Sequence, residues 1–288
     1  MQRRISVLLG LFTILVPLSA GQLFWKVDSG DSRVYLLGSM HAATEDFYPL
    51  PQVMTDAFAE SDYLVVEADI REEAQREYAG KMVLMAMYPD GDIINNHISA
   101  ATLTKVDERL KLHGMNLAAM SRMKPWMIGL TLISLEMQKA GYDMTLGIDL
   151  HFLQQARADS LPIVELEGMM YQMDLFNNFN DDLQEQFLLD VIDNQTEQLQ
   201  KLETMATAWK EGDEDKLEEL ILEESADPDL ADLYEVLIYA RNQTMTESIL
   251  EYLDSGETWF VIVGAGHLVG ERGVVQKLRD LGYTVQRP

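Results

Sequence analysis

Two stretches decide how this chain folds: Leu36-Leu37-Gly38-Ser39-Met40-His41 near the amino end, and Phe260-Val261-Ile262-Val263-Gly264-Ala265-Gly266-His267 near the carboxyl end. Each is an apolar, β-prone run that stops at a glycine, with a histidine three residues later. Such a run reads as a buried strand that breaks into a tight turn. In a largely parallel α/β sheet, ligands bind outside the carboxyl ends of the strands, where loops turn over into helices. Both histidines are therefore expected on the functional edge of one sheet. Tyr63-Leu64-Val65-Val66-Glu67 is a third compact strand, and Glu67 holds the equivalent end position.

Working outward from these strands, residues 23–27 and 33–37 are β-prone and are separated by Asp28-Ser29-Gly30-Asp31, a hairpin signal. A helix over 51–60, opened by Pro51, leads to the Tyr63 strand, and strand–helix–strand order suggests a βαβ unit. From residue 71 to 254 the periodicity is helical, with candidate helices over 73–87, 102–111, 125–139, 148–158, 183–210, 215–224 and 230–253. One short strand, 162–166, interrupts them. Strand character returns at 258–263, followed by a glycine-rich turn, a helix over 271–281 and a last strand over 284–286. The expected architecture is α/β. A mixed, largely parallel sheet is formed by both chain ends (about 23–70 and 257–288), with a large helical lobe (about 71–256) inserted, in one domain over 21–288.

Composition narrows the partners. The hydrophobic share (47%) and charged share (24%) suit a folded soluble protein, but 48 acidic against 22 basic residues give a net charge of −26. A nucleic-acid backbone would be repelled. The acidity gathers in the helical middle, for example over 211–224, where it reads as a solvated face. At the amino end, Arg3 and Arg4, an apolar run over 5–16 and Leu18-Ser19-Ala20 read as an export signal cleaved after Ala20. The run is short for a membrane span, which needs about 20 apolar residues, and an uncleaved anchor is the alternative. No other stretch approaches a span, so a periplasmic or secreted mature chain is expected. The absence of cysteine excludes lipoprotein attachment, disulfides and a thiol nucleophile.

Two neutral imidazoles and a carboxylate (His41, His267 and Glu67) make a reasonable divalent-metal set with room for a bound water. A bound cation can bring the pKa of that water down to about 7. Glu67 can equally stay off the metal and act as general base. Gly38 and Gly264 belong to the same set, because they let the turns approach the ligand closely. Arg241 sits beside Asn242 in a helical stretch. It can hold a substrate carboxylate or a developing oxyanion, or it can neutralise neighbouring acids, while Asn242 can orient a ligand. Asp149 can cap its helix or hydrogen-bond a ligand histidine, and Glu167 follows a strand and can reach the same edge. His97, His113 and His151 lack the strand–glycine–turn context and read as structural. Lys124-Pro125-Trp126 reads as a helix start. The 17 methionines read first as filling for an irregular core, with a methionine-lined peptide groove as the alternative.

The sequence resembles the TraB/GumN family, which includes pheromone-shutdown proteins and the Tiki proteases that clip Wnt ligands. The resemblance rests on Leu23-Phe24-Trp25-Lys26 with its hairpin, Gly38-Ser39-Met40-His41, Val66-Glu67, Lys124-Pro125-Trp126, Gly147-Ile148-Asp149, Leu166-Glu167, Arg241-Asn242 and Gly264-Ala265-Gly266-His267. It is closest to the bacterial exported branch. It implies a fold similar to erythromycin esterases and haem-binding ChaN-like proteins, with the paired Gly-x-x-His turns and the Glu in the active site. In the Tiki branch it implies metal-dependent proteolysis without a His-Glu-x-x-His helix, a motif absent here too. The resulting expectation is an exported, metal-dependent hydrolase of peptide-like or small ester-like substrates. His41 and His267 hold Mn²⁺, Co²⁺ or Zn²⁺, Glu67 ligates or acts as base, and Arg241 steadies transition-state charge. The competing expectations are a peptide- or haem-sequestering protein without turnover, and a metal-free esterase with an imidazole base.

Overall fold

A computed structural model describes residues 23–225 and 231–288 of the chain. The export signal read over residues 1–20 lies outside them. Six strands form one sheet: β1 (Phe24–Ser29), β2 (Ser32–Ser39), β3 (Tyr63–Val66), β4 (Ile163–Glu165), β5 (Thr258–Gly264) and β6 (Val285–Gln286). Their spatial order is β4-β3-β5-β2-β1-β6. β4, β3, β5 and β2 run parallel, whereas β1 pairs antiparallel with β2 and with β6. The mixed, largely parallel sheet expected from the sequence is thus present, and both chain ends build it.

The decisive feature is the place of β5. It slots between β2 and β3, although more than half the chain separates it from them in sequence. Its residues explain why: Phe260, Val261, Ile262 and Val263 are all buried, as befits a central parallel strand covered on both faces. In register, Gly38 lies opposite Val263 and Ser39 opposite Gly264, while Val66 lies opposite Ile262 on the other side. Three strands therefore end at nearly the same level. Helices Gln52–Ala59 and Ile148–Asp159 bring Phe58 and Phe152 onto Phe260, at ring-centroid distances of 5.5 and 5.0 Å. Helix Ala240–Leu253 packs against β1 and β2.

A second core gathers Ile94, Val106, Leu110, Trp126, Ile128 and Leu188 in the helical lobe. The sequence reading needs three local adjustments. The helix read over 183–210 is two helices, Asp181–Asp193 and Gln195–Glu211, broken at Asn194, whose backbone leaves the helical region. Helix Met169–Asn177 was unread, because its methionine-rich sequence has no clear apolar stripe. The helix before Arg241 contains a wide turn over Glu235–Tyr239, in which the Ala240 N–H reaches back five residues to the Glu235 carbonyl. Such turns gather at functional sites.

Candidate functional site

His41 follows β2, His267 lies in the short turn Ala265–Leu268 after β5, and Glu67 follows β3. Gly264 stands between them. A methyl group placed on its α-carbon would lie 3.4 Å from Glu67 Oε1, 3.6 Å from His267 Cδ2 and 3.9 Å from His41 Nε2. Gly38 is needed for a different reason. A side chain there would meet the Ala265 backbone at 3.1 Å and Leu23 at 3.3 Å, so glycine lets the two turns lie side by side. Trp209, on helix Gln195–Glu211 and part of the core around the sheet, fixes the first turn by donating its indole N–H to the Gly38 carbonyl at 2.6 Å.

Each histidine is oriented through Nδ1. His267 Nδ1 lies 2.6 Å from Asn242 Oδ1, and the Asn242 amide nitrogen donates to the Arg272 carbonyl at 2.9 Å. That second bond fixes which end of the amide faces the ring, so Nδ1 carries the hydrogen and Nε2 is left as a lone pair. Burial pushes His267 down to about 4, which keeps the ring neutral. His41 Nδ1 lies 3.0 Å from Asp149 Oδ2. The Asp149 carboxylate raises the His41 pKa, although more than half of this side chain (56%) is open to solvent, which screens the effect. Asp149 and Asn242 are each buried.

Glu67 is held from three sides. Its Oε1 accepts the Gly264 N–H at 2.6 Å and lies 3.8 Å from His267 Nε2, too far for a hydrogen bond. Its Oε2 accepts from Arg241 Nη2 at 2.5 Å and from Gln172 Nε2 at 2.9 Å. Burial alone would raise its pKa, but the charge of the Arg241 guanidinium and of His41 when protonated, with the Gly264 N–H, holds it well below the usual carboxylate range. Arg241 also donates to Glu167 through Nε and Nη2, both at 2.8 Å, and to the Leu237 carbonyl at 2.7 Å. The wide turn preceding Arg241 thus supplies one of its acceptors. Gln172 Nε2 also reaches Glu167 Oε2 at 3.0 Å.

The structure therefore brings Gly38, His41, Glu67, Asp149, Glu167, Arg241, Asn242, Gly264 and His267 to one end of the sheet. Gln172 and Trp209 join them unannounced by the sequence, since neither has a motif and each arrives on a lobe helix. His97 sits apart, between Asp92 and Asp181, and half-buried His113 pairs with Glu136. His151 packs on Tyr48 and Phe152.

The donor chemistry suits a divalent cation. Both imidazoles stand beside Gly264, and each partner at Nδ1 is an acceptor, as ligand histidines require. The carboxylates of Glu67, Glu167 and Asp149 face the guanidinium of Arg241 and the His41 ring, whose pKa Asp149 raises, so one negative charge stays in excess when His41 is protonated. Buried charge of that kind calls for a counter-ion. Among the described residues, however, no three His, Asp or Glu side chains form a ready-made ligand cluster. The reason is visible in Glu67, whose oxygens are already taken by Arg241, Gln172 and Gly264. The cleft above has a volume of about 20 Å³, room for about one water molecule, and is bordered by Ser39, Ile70 and Gln172 among others.

YbaP of Escherichia coli strain K12, an uncharacterized protein, is 26% identical over 250 residues, covering 87% of this chain and 89% of its own. YbaP of Shigella flexneri matches to the same extent. A metalloprotease TIKI homolog of the sponge Amphimedon queenslandica is 40% identical over 76 residues, 25% of this chain and 15% of that protein. No solved structure matches. The model of the TraB/PrgY/gumN family matches residues 23–287, nearly everything from β1 to β6, and the chain belongs to that family.

Proposed function

We infer that this chain is an exported hydrolase of peptide-like or ester bonds that works with a divalent ion held by His41 and His267. One observation supports the reading: two imidazoles from opposite chain ends, each tethered at Nδ1, stand beside Gly264, His41 through Nε2 and His267 through Cδ2. The partial similarity to a protein named a metalloprotease supports it. For export, the support is the amino-terminal signal pattern, together with the absence, among the described residues, of any helix long and apolar enough to cross a membrane.

The bound ion would supply Lewis acidity and a water acidic enough to ionise near neutral pH. Everything else falls to the chain. Asn242 and Asp149 fix the two rings and their tautomers. Gly264 keeps the centre open. Glu67 is charged, and Arg241, Gln172 and Gly264 hold its carboxylate in place, so it serves as an outer anionic partner or becomes a ligand by exchanging one of those bonds. The Arg241 nitrogens are engaged by Glu67, Glu167 and Leu237, so it acts on transition-state charge through its field rather than by direct donation. At about 20 Å³ the cleft lies far below the roughly 300 Å³ at which ligand pockets begin, which disfavours the haem-sequestering alternative.

The test is elemental analysis of the purified chain after equilibration with Mn²⁺, Co²⁺ or Zn²⁺, paired with hydrolysis of a peptide and ester library with and without chelator. Retained metal in the wild type, its loss in His41→Ala and His267→Ala, and chelator-sensitive turnover are expected. Equal metal content in all three proteins would overturn the metal site, and turnover that survives chelation would point to the metal-free esterase.

A further inference from the structure

Outside the candidate site, helix Glu72–Ala86 lies almost wholly on the surface: of its 15 residues only Ala86 is buried. Val83 is 61% exposed and Leu84 77%. One stripe of this helix, from Glu72 through Ala79 to Met82 and Ala86, borders a groove of about 430 Å³, a volume in the range of ligand pockets. Met87, Met123 and Met127 line its far end. Backbone bonds fasten that end, from the Lys124 N–H to the Ala86 carbonyl at 2.8 Å and from the Tyr88 N–H to the Arg122 carbonyl at 2.7 Å. A methionine-lined groove is thus present, and apolar surface left open along a whole helix marks a place where something docks.

The width and polarity of the groove say what fits it. A helix of 15 residues runs roughly 22 Å, which spreads 430 Å³ into a slot about 20 Å² in section. A docking helix, about 10 Å across, is too wide for it. An extended peptide is narrow enough, but it brings an N–H and a carbonyl at every residue. The walls come from this helix and the start of helix Pro125–Lys139, and they present no strand edge to pair with such groups. A hydrocarbon chain asks for no partners. The polar lining gathers at one end, where Glu72 and Arg76 pair and Gln75 donates to the carbonyl of Ile70, a residue bordering the cleft beside Glu67. One charge of each sign at that mouth suits a zwitterionic head, and the net charge of −26 repels an anionic one.

We propose that the groove along helix Glu72–Ala86 binds the single hydrocarbon chain of a zwitterionic amphiphile, its terminal methyl among Met87, Met123 and Met127 and its head at Glu72 and Arg76. Methionine suits that wall, because its flexible thioether repacks around a mobile chain. The site goes beyond the hydrolase reading and requires neither a bound ion nor turnover.

The test titrates the purified full chain, its methionine methyls labelled with carbon-13, with octyl-, decyl- and dodecylphosphocholine below their critical micelle concentrations. Methyl shifts are expected at Met82, Met87, Met123 and Met127, with Met54 and Met245 of the sheet core unmoved. Affinity should rise about fourfold per added methylene, the factor that burial at roughly 0.8 kcal/mol per CH₂ gives. Val83→Glu puts a charge on the groove wall and should weaken binding about tenfold or more, whereas Leu84→Glu, next to it but outside the groove, should leave binding unchanged. Both positions are exposed, so the fold should survive, and unchanged melting temperatures check this. Should Val83→Glu fail to fold, the methyl map and the chain-length series decide by themselves. No shift with any probe, shifts spread over all the methionines, or affinity indifferent to chain length overturns the proposal. Equal loss of binding in both variants also overturns it, since the amphiphile would then be adhering to an apolar surface and not entering the groove. Two further results would give the groove to another occupant: the peptide acetyl-leucyl-alanyl-leucyl-alanine amide moving the same methyls at lower concentration than decylphosphocholine, or a dimer of the free chain that Val83→Glu makes monomeric.

Discussion

The Nε2 lone pair of His267 faces Glu67 Oε1 at 3.8 Å with no hydrogen between them, an arrangement that a cation or a proton would relieve. What keeps that lone pair in place is Asn242, so its removal should act on the site and not on the core. Asn242→Leu is expected to weaken metal retention by about 10–100-fold, read by competition with a chelator. The same burial has a pH signature in the metal-free chain. An unfolded imidazole titrates near 6.5, whereas buried His267 is pushed down to about 4. Between those values the unfolded chain binds the extra proton, so stability should fall as pH drops from about 6.5 towards 4. Denaturant midpoints measured across that window should show a shallower fall in His267→Gln, and equal slopes would contradict the assignment. Arg241 is the other residue whose loss is informative. Arg241→Leu would leave the buried carboxylates of Glu67 and Glu167 without their cation, at an expected cost of about 3–5 kcal/mol in denaturant unfolding.

Strands, turns and helices differ in how readily they could be read. The ends of β2, β3 and β5 were legible because an apolar run that stops at glycine or at a lone acid has few other uses, and the register of β5 then follows from its burial on both faces. Asp149 could be nominated only as one of two readings, since a helix cap and a histidine partner look the same in sequence, and Glu167 and Asn242 had position alone to speak for them. Their partners emerge only when helices Ile148–Asp159 and Ala240–Leu253 are docked. Gln172 and Trp209 carried no signal, because a single glutamine or tryptophan on a lobe helix has no spacing to betray it. At this scale Gly264 yields a clean test. A methyl group there meets only ordinary contacts, yet it stands among the three side chains the site needs. Gly264→Ala is expected to keep its melting temperature within a few degrees of wild type while metal retention falls about tenfold or more. Loss of both together would mean the turn itself had collapsed.

For the molecule as a whole, the consequence is that its two ends and its lobe are clamped at one point. β2 brings His41 from the amino end, β5 brings His267 from the carboxyl end, and the lobe contributes Gln172 and Arg241, which hold Glu67. An ion shared by the two histidines would therefore bridge elements more than two hundred residues apart, and its binding energy would appear as resistance of the sheet to opening. At an ion concentration about a hundredfold above the dissociation constant, linkage gives roughly 2.7 kcal/mol of added stability. Amide hydrogen exchange should show it as a matched rise in protection along β2 and β5, with a smaller rise in the lobe core around Trp126 and Leu188, which shares no side chain with the site. His41→Ala should abolish the rise on β5 as well as on β2, even though the substitution touches only one of the two strands. If protection rose on β5 alone in that variant, His267 would be holding the ion without help from the other end, and the two halves of the site would be neighbours rather than partners.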